Sequence, residues 1–109
     1  MIRADILDKA KECVCGRREQ DYGTPESNFA AIADLWTAYC GHEFTPIDVA
    51  MMMALLKIAR IKKGGGSGDS YVDLAGYAAC AGELYEMRTR EDNWWHRGGF
   101  LLQKNPLPQ

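Results

Sequence analysis

Between Asp48 and Lys57 the chain reads Val-Ala-Met-Met-Met-Ala-Leu-Leu, without one polar side chain. Thr45-Pro46 stands just before it: a residue whose hydroxyl accepts backbone N–H bonds, then one whose fixed φ suits the first helical position. Asp48 falls three residues after Thr45, where a capping box places an acid, so it reads as structural. The spacing predicts a helix from Pro46 to about Lys63. A helix that is apolar all round must be buried on all sides, so this one is expected to be the central element. Lys57, Arg60, Lys62 and Lys63 near its end, and a length short of the roughly 20 residues of a membrane span, argue against a bilayer.

The other segments read as helices too, and no stretch alternates like a strand. Residues 2–15 carry Ile2, Ile6, Leu7, Ala10 and Val14 at helical spacing, with Gly16 as the expected stop. Thr24-Pro25 opens a second helix with Phe29, Ile32, Ala33, Trp36, Tyr39 and Cys40 on its apolar face, and Gly41 ends it. Trp36 and Tyr39 are expected in the core. After the glycine-rich connector 64–68, Asp69-Ser70 is expected to cap a fourth helix reaching about Arg88. Its small residues, among them Ala75, Gly76, Ala78, Ala79, Ala81 and Gly82, would let the Met-rich helix approach closely. The expected fold is all-α: a compact bundle of about four helices over residues 1–90, followed by a C-terminal extension, 91–109. In that extension Trp94 and Trp95 suggest a self-association surface or a lid.

At 109 residues, 47% of them hydrophobic, the chain fits one cored domain. Thirteen Lys or Arg stand against fifteen Asp or Glu, a net charge of −2. That balance argues against a broad basic surface for extended nucleic acid. No apolar run approaches a membrane span and residues 1–16 mix charges throughout, so a soluble cytoplasmic domain is expected. Cys13, Cys15, Cys40 and Cys80 read as reduced thiols, because Cys13-Val14-Cys15 lacks the spacing of a zinc knuckle.

Lys57 and Arg60 are the cations within the body of the apolar helix, about 60° apart around its axis. A short connector makes the third and fourth helices an antiparallel hairpin, so Asp69 and Asp73 should face them at one end of the bundle. Two readings stay open for this quartet. One is a structural Arg60–Asp73 ion pair that locks the hairpin. The other is a polar site in which Lys57 and Arg60 hold phosphate and Asp69 and Asp73 hold Mg2+, since phosphoryl chemistry needs that charge neutralisation. Tyr77, one turn after Asp73, either stacks on a base or fills core. Arg18, Asp21, Tyr22 and Gly23 cluster in a connection, either as binding residues or as an ordinary turn anchored by Tyr22.

These residues carry a resemblance. Arg18-Glu19-Gln20-Asp21-Tyr22-Gly23, Asn28-Phe29-(x)6-Trp36, Lys57-x2-Arg60 and Asp69-Ser70-x2-Asp73-x2-Gly76-Tyr77 are similar to motifs of small phage and prophage proteins of uncharacterised function. Those proteins are similar in turn to nucleotide-modification-associated domains, and the match covers about residues 3–87. The group distantly resembles the MazG-type all-α pyrophosphohydrolases. That resemblance implies an oligomeric helical bundle that cleaves nucleoside triphosphates with Mg2+ held by acids on paired helices. The chain departs from the pattern in its Glu-x2-Glu motif: Glu83-Leu84-Tyr85-Glu86 follows the other acids instead of preceding them. The expectation is a cytoplasmic, homo-oligomeric nucleotide-handling protein. Asp69 and Asp73 would ligate Mg2+, Lys57 and Arg60 would bind phosphates, and Arg18, Tyr22, Asn28 and Tyr77 would complete the nucleotide site. Catalytic pyrophosphohydrolysis, non-catalytic nucleotide binding and a purely structural helical oligomer are the three functions it leaves open.

Overall fold

The computed structural model of the chain describes residues 1–17, 23–64 and 68–90, the side chains of 17 and 88–90 excepted. The extension 91–109, with Trp94 and Trp95, lies outside the described residues. All regular structure among the described residues is helical: α1 (Arg3–Glu12), α2 (Pro25–Cys40), α3 (Pro46–Lys62) and α4 (Asp69–Arg90). The fold is therefore all-α, as the spacing predicts. No helix among the described residues is long and apolar enough to cross a membrane.

The helix starts follow the local chemistry closely. Thr24 Oγ1 accepts the Ser27 N–H at 3.3 Å. At Thr45 the capping box is complete: Thr45 Oγ1 accepts from Asp48 N at 3.1 Å, and Asp48 Oδ2 accepts from Thr45 N at 2.9 Å. Gly41 ends α2 with φ +71°, a left-handed position that suits glycine, and its N–H donates to the Thr37 carbonyl. Two boundaries differ from expectation. Gly16 does not stop the first helix, which widens into a π-helical turn over Cys13–Arg17 and carries Val14 against α4. At α4 the cap moves back one residue: the Gly68 carbonyl accepts from Val72 N, and Asp69 is already helical.

α4 packs against α1, α3 and the π turn, while α3 packs against α2 and α4. The core is built from small and branched side chains: Phe29, Ala33, Val49, Ala50, Cys80, Ala81 and Leu84. Of the small residues on α4, Gly76 and Ala81 are buried, whereas Ala78, Ala79 and Gly82 face water. The approach at Gly76 comes from the π turn and not from α3: a Cβ there would lie 3.0 Å from Val14 Cγ1.

The expected all-round burial of α3 is overturned. Val49, Ala50 and Ala54 are buried, but Met51, Met52, Leu55, Leu56 and Ile58 are exposed, from 41% to 61%. Among the described residues α3 packs chiefly against α2 and α4, and these two neighbours do not surround it. Tyr39, expected in the core, is 92% exposed. Ile2 and Leu7 of the first apolar face are exposed as well. Trp36 is half-buried against the core and meets Phe44 edge-on at 5.8 Å.

Thr37 is a structural residue that the apolar spacing does not reveal. It is buried, and its hydroxyl accepts from Phe44 N at 2.9 Å and donates to the Phe44 carbonyl at 3.4 Å, fastening the α2–α3 connection. Thr37→Val keeps the shape but leaves both backbone groups unpaired, so a loss of about 1–3 kcal/mol is expected. Urea melts of the two proteins measure it, and equal midpoints would show that the connection does not depend on the hydroxyl.

Candidate functional site

Three of the side chains that sequence singled out, Asn28, Asp73 and Tyr77, line a hollow between the π turn, the start of α2 and the first turns of α4. Asn28 and Phe29 come from α2, Asp73, Gly76 and Tyr77 from α4, and Cys13 and Val14 from the π turn; Gly23 closes one edge. The hollow holds about 40 Å³ of space, room for water or for the edge of a ring. Phe29 and Tyr77 form its aromatic walls, with ring centroids 6.2 Å apart and planes inclined by 31°. A wider groove of about 350 Å³ adjoins it, sharing Cys13, Val72 and Asp73 and adding Lys9, Glu12 and Asp69.

Why these residues meet follows from the hairpin. Ala50, Ala54, Lys57 and Ile61 form the i, i+4, i+7, i+11 row of α3, and all four are buried or half-buried. Lys57 therefore points towards α4, where its Nζ lies 3.0 Å from Asp73 Oδ2; the side chains are 14% and 40% exposed. The end of α3 and the start of α4 thus lie together, as an antiparallel hairpin requires. The expected Arg60–Asp73 pair is replaced by Lys57–Asp73, because Arg60 lies off that row and is exposed. From Asp73, one turn along α4 brings Tyr77 to the same hollow.

The quartet is accordingly divided. Asp73 lines both hollow and groove, Asp69 lines the groove, Lys57 braces Asp73 from behind, and Arg60 stands apart. As a metal site, Asp69 and Asp73 offer two carboxylates, one already facing an ammonium. Among the described residues no group of three or more His, Cys, Asp or Glu side chains is placed to hold a metal ion. Arg18 and Tyr22 lie outside the described residues. Among the other lining residues, to which sequence reasoning gave no binding role, are Phe29 and Gly76. Each adjoins a singled-out residue, Asn28 or Tyr77, and was read as core or spacing only.

The geometry can do recognisable chemistry. Two aromatic faces suit a flat ring, the Asn28 amide offers a donor and an acceptor, and Asp73 offers acceptors. Cys80 is buried in the core, whereas Cys13, Cys15 and Cys40 are exposed free thiols.

A family model described as Domain of unknown function (DUF6378) matches residues 5–85. The chain belongs to this family. All the described lining residues of the hollow fall inside the matched range. The chain is similar to the Gene 55 protein of Mycobacterium phage L5, 50% identical over 94 residues that make up 85% of this chain and 58% of that protein. It is also similar to the Gene 55 protein of Mycobacterium phage D29, 46% identical over 81 residues, covering 74% and 54%. The match thus spans little more than half the length of these relatives. No solved structure matches the chain. The expected similarity to phage proteins holds, while a MazG-type enzyme has no counterpart among these relatives.

Two substitutions test the electrostatics. Asp73→Ala strands a mostly buried ammonium and should cost about 1–3 kcal/mol, at or below the low end for a broken buried pair because Asp73 is partly exposed. Lys57→Met combined with Asp73→Leu should recover to within about 1 kcal/mol of the parent by thermal melting. A double variant no better than Asp73→Ala would mean that the pair is not what Asp73 contributes.

Asp34 on α2 is the second test. Its Oδ1 is buried without a hydrogen-bond partner among the described residues, and desolvation raises its pKa above the usual 3.8. The folded chain then holds this proton more tightly than the unfolded one, so stability falls as pH rises from 3.8 through the raised value. Asp34→Asn should melt higher than the parent at pH 7, with the difference shrinking as the pH approaches 3.8. A pH-independent difference would assign the effect to something other than the carboxylate.

Proposed function

We propose that the hollow binds a nucleotide or nucleotide-derived small molecule. The observation that supports this reading is convergence: Gly23, the Asn28-Phe29 pair, and Asp73, Gly76 and Tyr77 come from three separate sequence motifs and line one cavity. In this reading the base lies against Phe29 and Tyr77, with its polar edge towards Asn28 and Asp73. Sugar and phosphate run along the adjoining groove towards Lys9. Lys57 positions Asp73, and Arg60 takes no direct part.

A second reading is Mg2+-dependent pyrophosphohydrolysis of a nucleoside triphosphate, of the kind MazG-type proteins perform. It is favoured by Asp69 and Asp73 lining the same groove.

Thermal-shift titrations of the chain with the common nucleotides, with and without Mg2+, distinguish the two. Binding to the folded state alone gives about 2.7 kcal/mol at a ligand concentration 100 times Kd, a shift of about ten degrees. Asn28→Ala and Tyr77→Leu should abolish the shift, and Arg60→Ala should leave it unchanged. A shift that survives both substitutions, or none with any nucleotide, overturns the reading. Pyrophosphate released only with Mg2+ would favour the hydrolase.

A further inference from the structure

The outward side of α3 is as apolar as its core side. Met51, Leu55 and Ile58 lie within a strip about 60° wide around the helix axis, and Met52, Leu56 and Ala59 extend it on one flank. All six are exposed. The five large side chains leave about 450 Å² of apolar surface in water, a little over half of one side of a standard protein interface.

The strip has charges only at its ends. Asp48 is seven residues before Leu55 and Lys62 seven after, so the three return to nearly the same direction, drifting about 20° per heptad. Both charged residues are exposed, and the cap at Thr45 uses only Oδ2 of Asp48. Asp48, Met51, Leu55, Ile58 and Lys62 therefore form an a/d seam with opposite charges equidistant from its midpoint. A two-fold axis at Leu55 would set Asp48 of each copy against Lys62 of the other, and Met51 against Ile58. A parallel pairing would instead set like charges together.

We infer that this face is the interface between two copies of the chain, paired antiparallel through α3 about Leu55. The pairing is independent of what the hollow binds. It buries the apolar strip, satisfies its end charges and uses none of the residues that line the hollow.

Sedimentation equilibrium of the 109-residue chain should give twice its 12.2 kDa mass. Leu55→Glu places two like charges at the axis and should raise the dissociation constant at least about a hundredfold, with unchanged helicity because the site is exposed. Register is read by crosslinking, with Cys13, Cys15 and Cys40 replaced by serine. Leu55→Cys should oxidise to a dimer by itself. Met51→Cys and Ile58→Cys should crosslink only when mixed, since like positions lie about 10 Å apart along the seam and a disulfide spans less than 7 Å between Cα atoms. A parent chain that is monomeric at all concentrations overturns the inference, as a face covered by residues 91–109 or by another protein would give. A dimer indifferent to Leu55→Glu, or Met51→Cys chains that crosslink to themselves, would overturn it equally.

Discussion

An ammonium only 14% exposed needs a counter-charge, and Lys57 finds it in Asp73 at 3.0 Å. Much of the molecule's arrangement follows from that contact. It brings the last turns of α3 against the first turns of α4, and so sets the register of the hairpin. With Asp73 placed, Tyr77 lies one turn on and meets Phe29, while Gly76 lies where Val14 of the π turn has to pass. The same carboxylate that closes the hairpin is the acid of the hollow. In the proposed binding reading, stability and recognition share one side chain, and each constrains how far the other can change.

What could be read in advance was what depends on neighbours in sequence. The caps at Thr24 and Thr45 and the stop at Gly41 need only residues three or four apart, and all three stand where the chemistry puts them. The hollow was legible in pieces: Asn28, Asp73 and Tyr77 were each singled out, and they line one cavity. What failed depends on neighbours in space. Apolar periodicity says that α3 avoids water but not how many helices surround it. The choice between Lys57 and Arg60 turned on a 60° difference in direction, settled only once the row of buried Ala50 and Ala54 and half-buried Ile61 was known. Gly16 had the composition of a stop, but the packing of Val14 on Gly76 keeps the turn going. Thr37 was invisible because a buried hydroxyl at an apolar position shows no pattern of its own.

The two sides of α3 are both apolar, and that carries information. Towards α2 and α4 the helix buries Val49, Ala50 and Ala54, with Ile47 and Met53 partly buried against the same core. Outward it presents Met51, Met52, Leu55, Leu56 and Ile58. A helix tuned only for its own bundle would have Lys and Glu outside, since charged side chains keep a surface soluble and cost nothing in the core. Instead the charges sit at the ends of the outward strip, on Asp48 and Lys62, with opposite signs at equal distance from Leu55. Random exposure of apolar residues would have no reason to be symmetric about one leucine. In the proposed dimer, the apolar helix that first defined the chain gains from another copy of itself the cover that its own bundle leaves out.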